Sequence, residues 1–239
     1  MIIAFLSHYD FNLYNFRLAI MKELVRNGHI VYAISPQGDF SHKFSEYGIK
    51  HISYEINRKS INPLLELINI YNIYKAISSV NLDILHSFTL KPNIYASLVS
   101  FFLKHKVICS ITGLGSFYID TKLTSKIIRQ ITSILYKIVS YKTSYFIFQN
   151  DDDKKMFVQN KTIKQHQAVL IRGSGIDTKK YSKDNVNLET ITQIKQSINI
   201  KKNDLIITMI ARIIKQKGIF EFTEAINILK EKYPQIKAI

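Results

Sequence analysis

Apolar residues recur along this chain in short β-branched runs, separated by longer stretches with helical spacing. Ile2 to Leu6 is the first such run, and after a polar loop the segment Phe16 to Arg26 repeats Phe16, Ile20 and Leu24 at the helical period. Asn27 and Gly28 supply a helix stop, because glycine accepts a left-handed conformation at little steric cost. Ile30 to Ile34 is the next strand, broken by Ser35 and Pro36. A β-α-β unit therefore closes within about 35 residues, as the motif requires.

The alternation continues with a strand near Ile49 to Tyr54, a helix from Pro63 to Val80, a strand from Ile84 to His86 and a helix from Pro92 to Lys104. Next come a strand from Val107 to Ile111, a helix from Thr124 to Tyr141, a strand from Tyr145 to Phe148, a short helix opened by Asn150 and Asp151, and a strand from Ala168 to Ile171. Alternation this regular predicts an α/β fold, a doubly wound parallel sheet with helices on both faces. The first domain is expected to span residues 1–172. Residues 173–203 form a polar connection that keeps Ile191, Ile194 and Ile198, and residues 204–239 open a second domain with a strand at Leu205 to Ile210 and a helix from Gly218 to Lys232. A strand forming at Ile236 to Ile239 leaves this second sheet short of the usual strand number.

Composition agrees. With 239 residues and 46% hydrophobic content, the chain can bury one sizeable core, and the remainder is too short for a second full domain. The single cysteine, Cys109, excludes a disulfide framework and a cysteine-based metal site. The opening apolar run is too short for a signal peptide or a spanning helix, so a cytoplasmic location is expected. The net charge of +15 would suit nucleic acid, an anionic membrane or a phosphorylated substrate. Scattered lysines also fit a simple coding bias, and no helix-turn-helix, zinc or RNA-recognition signature accompanies them, so no nucleic-acid partner is expected.

In an open parallel sheet, ligands bind beyond the carboxyl ends of the strands. The loop after the first strand, Ser7 to Asn15, lacks G-x-G-x-x-G spacing, which argues against a dinucleotide-dependent oxidoreductase. After the fourth strand, His86, Thr89 and Lys91 precede a helix whose first turn holds Pro92; His86 or Lys91 could orient a hydroxyl or a phosphate, or simply end a strand and sit in solvent. Thr112, Gly113 and Gly115 follow the fifth strand, where backbone amides could meet an anionic oxygen or form a plain turn. Arg212 and Lys217 follow the strand Leu205 to Ile210 where a helix begins, a suitable cradle for a diphosphate, although a basic loop on a basic protein can be merely solvated. The helix Thr124 to Tyr141 gathers Ile127, Ile128, Ile131, Ile134, Leu135 and Ile138 on one face, with Lys126, Arg129 and Lys137 around it. Such a stripe usually packs on the sheet; contact with an anionic membrane is the alternative.

Several stretches together carry a family resemblance: Asn15-Phe16-Arg17 through Gly28-His29, His86 through Tyr95, Thr112-Gly113-Leu114-Gly115, Gly173-Ser174-Gly175-Ile176-Asp177, and Ala211-Arg212 with Lys217-Gly218. The chain resembles glycosyltransferase family 4, of the GT-B fold, particularly bacterial enzymes adding a hexose or N-acetylhexosamine to an undecaprenyl-diphosphate-linked glycan in capsule, O-antigen (lipopolysaccharide) or N-glycan assembly. The resemblance implies retention of anomeric configuration without a protein nucleophile, so no catalytic residue is assigned. It gives Arg212 and Lys217 the donor diphosphate. Asn15, His86, Thr89, Lys91, Thr112, Gly113 and Gly115 fall to an acceptor-side cleft, and Gly173, Ser174 and Gly175 to an interdomain cleft.

It also implies a nucleotide-sugar donor, UDP-linked, no cofactor and metal-independent transfer, since two cations stabilise the departing diphosphate. The partners implied are the lipid-linked acceptor and the inner face of the cytoplasmic membrane, where the protein would be peripheral. The family's E-x7-E region, which contacts the donor, would lie downstream of Ile239. The expectation is thus a truncated chain, inactive alone, with a separate chain possible as the source of the missing half. The alternative is an inactive remnant that serves as a membrane- or partner-binding module.

Overall fold

The computed structural model describes residues 1–57, 60, 62–114 and 122–239. They divide into two compact units, Met1–Ile176 and Asp177–Ile239. In the first unit the strands are β1 (Ile2–Leu6), β2 (Ile30–Ser35), β3 (Lys50–Ser53), β4 (Ile84–Phe88), β5 (Lys106–Ile111), β6 (Thr143–Phe148) and β7 (Ala168–Leu170). They form one seven-stranded sheet in the order β3-β2-β1-β4-β5-β6-β7, with every pair parallel. The helices are α1 (Asp10–Arg26), α2 (Pro63–Ser78), α3 (Leu90–Val99), α4 (Leu123–Val139) and α5 (Asp151–Gln159).

Strand alternation separates two cores. Ala4, Leu6, Leu85, Val107, Cys109, Phe146 and Phe148 join one cluster, together with Ile73 of α2, Ile94 of α3 and Tyr136 of α4. Ile3, Phe5, Val31, Ala33 and Phe88 join the other, with Leu13 and Met21 of α1. From β1 the order runs one way through β2 and β3 and the other way through β4 to β7. The gap between the carboxyl ends of β1 and β4 is therefore the topological switch point of the sheet.

Several boundaries differ from expectation for local reasons. α1 begins at Asp10, not Phe16. Asp10 sits in the first turn, where a carboxylate suits the positive helix end, and that carboxylate also accepts from Phe11 N at 2.7 Å, Phe40 N at 2.8 Å and Ser41 Oγ at 3.2 Å. The polar residues of this turn, which read as loop, are held in the helix by a tertiary contact. Gly38 packs so closely on Asp10 that an added Cβ would lie 2.5 Å from its Oδ1. β4 runs on to Phe88, so His86 is a strand residue, and α3 starts ahead of Pro92, which fits in the first turn where an N–H has no partner in any case.

The larger departure is α4. Its buried residues are Ser125, Thr132, Tyr136 and Val139, while Ile127, Ile131 and Ile134 are each about half exposed and Ile128 and Ile138 are exposed as well. Of the expected core-packing stripe, Leu135 packs against the core while the five isoleucines face outward. The inner face is filled by Tyr136, whose ring meets Phe146 and Phe157 edge-on with centroids 6.0 and 5.2 Å away, and by small polar residues such as Ser133, 3.1 Å from Thr162 Oγ1. Hydrogen-bonded small residues let the helix approach closely at little cost, and the isoleucines are left outside.

The second unit holds α6 (Leu188–Ser197), β8 (Leu205–Ile207), α7 (Ile219–Lys232) and β9 (Ile236–Ala238), and β8 pairs with β9 in parallel. The segment read as a connection thus contains a helix, capped by the Asn187 side chain on Glu189 N at 2.7 Å. β8 is three residues long and stops at Ile207, short of Ile210.

Candidate active site

The switch point carries the chemistry-bearing residues of the first unit. Ser7 and His8 follow β1, Thr89 follows β4, and His8 Nδ1 lies 2.6 Å from Thr89 Oγ1 across the gap. Thr89 has φ 72° and ψ 164°, a conformation that a β-branched residue rarely adopts. Asn93 braces it: Asn93 N donates to Thr89 O at 3.0 Å, Asn93 Nδ2 donates to Ser110 O at 2.9 Å, and Ser87 Oγ donates to Asn93 Oδ1 at 2.8 Å. Backbone strain held by a buried network at a ligand-facing strand end is typical of functional sites.

His86 lies deeper on the same strand. Its Nε2 is 2.8 Å from Ser110 Oγ, and its ring stacks on Phe88 and tilts against Phe5, with centroids 4.3 and 5.4 Å apart. Burial, aided by the charge of Arg17, pushes its pKa down to about 3, so the imidazole is neutral at physiological pH. Arg17 belongs to the buried Leu13, Arg17, Met21 face of α1 and places its guanidinium carbon 4.4 Å from the centre of the Phe88 ring. Burial lowers its pKa to about 10, which leaves it charged.

Lys91 points elsewhere. Its Nζ donates to Glu66 Oε1 at 2.6 Å and to Ser60 O, and Glu66 also receives Tyr95 Oη and, at 2.9 Å, Asn69 Nδ2. Burial works to raise the Glu66 pKa, but the hydrogen bonds from Lys91, Tyr95 and Asn69 outweigh it and hold the carboxyl below its ordinary value. Asn15 is exposed on α1 and donates to Phe11 O at 3.1 Å. Thr112 and Gly113 follow β5, Gly113 at φ 142° with open space where a Cβ would stand. Gly115 lies outside the described residues.

Gly173 and Gly175 both take positive φ, at 73° and 76°, and Ser174 Oγ accepts from Gln149 Nε2 at 3.0 Å; all three residues belong to the first unit. In the second unit, Arg212 and Lys217 lie between the end of β8 and the start of α7, both exposed, and neither makes an ion pair among the described residues. Gly218, at φ 76°, turns the chain into α7. His8 and Arg17 are the site residues that sequence reasoning passed over. A cation on the apolar line of an otherwise amphipathic helix was the available signal for Arg17.

The glycosyl transferase 4-like family matches residues 3–150. The chain is 34% identical over 232 residues to the N,N'-diacetylbacillosaminyl-diphospho-undecaprenol alpha-1,3-N-acetylgalactosaminyltransferase of Campylobacter jejuni, covering 96% of this chain and 61% of that enzyme. It is 23% identical over 219 residues to the alpha-monoglucosyldiacylglycerol synthase of Acholeplasma laidlawii, covering 89% of this chain and 54% of that enzyme. The chain thus spans little more than half the length of these curated relatives. A solved glycosyltransferase from Rickettsia africae superposes with a TM-score of 0.69 at 20% identity, over 100% of this chain and 67% of that one.

Proposed function

The chain belongs to the glycosyl transferase 4-like family, with the GT-B type of fold, and on that footing we propose that it serves transfer of a hexose or N-acetylhexosamine from a nucleotide-diphosphate sugar to a glycan on undecaprenyl diphosphate, in cell-surface polysaccharide or glycoprotein-glycan assembly. The observation that carries this reading is the kinship to the C. jejuni enzyme, whose name specifies a diphospho-undecaprenol-linked acceptor. The crevice between β1 and β4 supplies the acceptor side.

On the donor side, Arg212 and Lys217 hold the diphosphate of a UDP-sugar and offset the charge that develops on it as the glycosidic bond breaks. A metal ion is then unnecessary, and the departing phosphate takes the acceptor proton in a retaining, front-face transfer. The outward isoleucines of α4, bordered by Lys126 and Lys137, rest on the inner face of the cytoplasmic membrane, where the acceptor is anchored; flotation with anionic vesicles tests this.

The deciding experiment follows a labelled sugar from UDP-linked donors to a polyprenyl-diphosphate-linked acceptor, in the presence and absence of a chelator. Any turnover observed, by the chain alone or with a second chain that completes the donor site, should be unaffected by the chelator and should fall about 100-fold or more in Arg212→Ala, as for the loss of one preorganised charge partner. Acceptor binding without turnover would assign the chain the acceptor-side role alone. Failure to bind either substrate would sink the reading.

A further inference from the structure

Arg17 is a buried cation without a counter-ion among the described residues. It is 8% exposed, and its Nη1 donates to Phe16 O at 3.2 Å. Its Nε has no hydrogen-bond partner among the described residues. The acids of the same helix are committed elsewhere, Asp10 to Phe11 N, Phe40 N and Ser41 Oγ, and Glu23 to Arg26 at 3.3 Å. His86, beside the guanidinium, is neutral and brings no negative charge. A buried charge left in this state is strongly unfavourable until an anion completes it, and a chain that keeps one at a strand end is keeping it for a ligand.

The location says which ligand. The guanidinium lies over Phe88, the last residue of β4, next to strained Thr89 and the His8–Thr89 contact that spans the switch point. Just past β1, Ser7 keeps a fully buried hydroxyl with no partner among the described residues, a second polar group open to a ligand. A guanidinium edge with a free N–H suits phosphoryl oxygens, because it offers directed donors together with full charge.

We propose that Arg17 is an anion-binding residue of the β1/β4 crevice and takes a phosphoryl oxygen of the acceptor's diphosphate. This rests on the reading of the chain as serving transfer to a diphosphate-linked glycan. It separates two diphosphates: the donor's on Arg212 and Lys217, the acceptor's on Arg17.

The test uses the 239-residue chain with inorganic pyrophosphate, farnesyl diphosphate and UDP as probes, comparing wild type with Arg17→Met, Arg17→Lys and Arg212→Ala. Pyrophosphate is expected to shift the Arg17 Nε–Hε resonance, identified by its absence in Arg17→Lys. Arg17→Met is expected to weaken farnesyl diphosphate binding at least tenfold and to leave UDP binding unchanged, with a thermal midpoint no lower than wild type, since an uncompensated charge has been removed. A lower midpoint with unchanged pyrophosphate and farnesyl diphosphate affinity would make Arg17 a structural residue and overturn the proposal. Equal weakening of UDP and farnesyl diphosphate would overturn the acceptor assignment. UDP binding lost only in Arg212→Ala upholds the transferase reading whatever Arg17 does, and failure of every form to bind UDP sinks that reading while leaving the Arg17 result to be judged alone.

Discussion

His86 shows how strongly position governs a single side chain. In the unfolded chain it titrates near pH 6.5, whereas in the fold its pKa is about 3 because burial, and then Arg17, disfavour the charged ring. Between those values the unfolded state binds more protons, so stability is full above pH 6.5 and is lost as pH falls toward 3. The 1.5 units from pH 6.5 to 5 correspond to about 2 kcal/mol for this group. His105, pushed down to about 4 by burial and by Lys142, acts with the same sign. Urea unfolding at pH 7 and pH 5 should therefore show a marked loss of stability at pH 5, and His86→Gln should flatten that slope; an unchanged slope would mean that the ring is not buried in solution. The sequence announced His86 as a polar residue near a strand end, but not that Phe5 and Phe88 would enclose it.

Among the elements, α4 is the one whose amphipathicity was plain and whose direction was not. The 3.6-residue period of Ile127, Ile131, Ile134 and Ile138 identifies an apolar face. Which way that face turns depends on whether Tyr136 and the small residues opposite it fit the sheet better, and they do. With no acidic residue between 122 and 142, the exposed face is both greasy and basic. Ile131→Glu combined with Ile134→Glu should abolish flotation of the protein with anionic vesicles and change its stability by no more than roughly 0.5 kcal/mol per site, as for exposed positions. If the pair instead unfolds the protein, the isoleucines are buried in solution and the membrane role fails. α1 was misjudged at its start for a related reason: Asp10, Asn12 and Asn15 have low helix propensity, and the hydrogen bonds that Asp10 receives from Phe40 and Ser41 lie some thirty positions away.

At the scale of the whole molecule, the two units are unequally built. The first surrounds a seven-stranded sheet with two buried clusters. The second has a two-stranded sheet in which Leu205 is 51% exposed and Ile206 44%, and its buried hydrophobic residues among those described are Ile226 and Ile236. Two strands with so small a core are marginal. Amide exchange in the 239-residue chain should accordingly be fast across β8, α7 and β9 and slow across β1, β4 and β5. Protection of β8 comparable to that of β4 would show that the second unit is stabilised by more than its own core. Arg212 and Lys217, proposed for the donor side, sit in this weaker unit, and Arg17, His8 and Thr89 in the stronger one.

The amino-acid sequence by itself determined the alternation of strands and helices, the parallel sheet that follows from it, the glycine-marked turns and the basic loop at Arg212 and Lys217, because each is written in residues close together along the chain. Tertiary structure alone decided that Lys91 pairs with Glu66 of α2, that the α4 isoleucines face outward, that His8 and Thr89 meet at the gap between β1 and β4, and that Arg17 lies over the neighbouring Phe88. Those outcomes turn on side chains dozens of positions apart competing for the same space and the same hydrogen bonds, and periodicity along a chain carries no record of which neighbour wins.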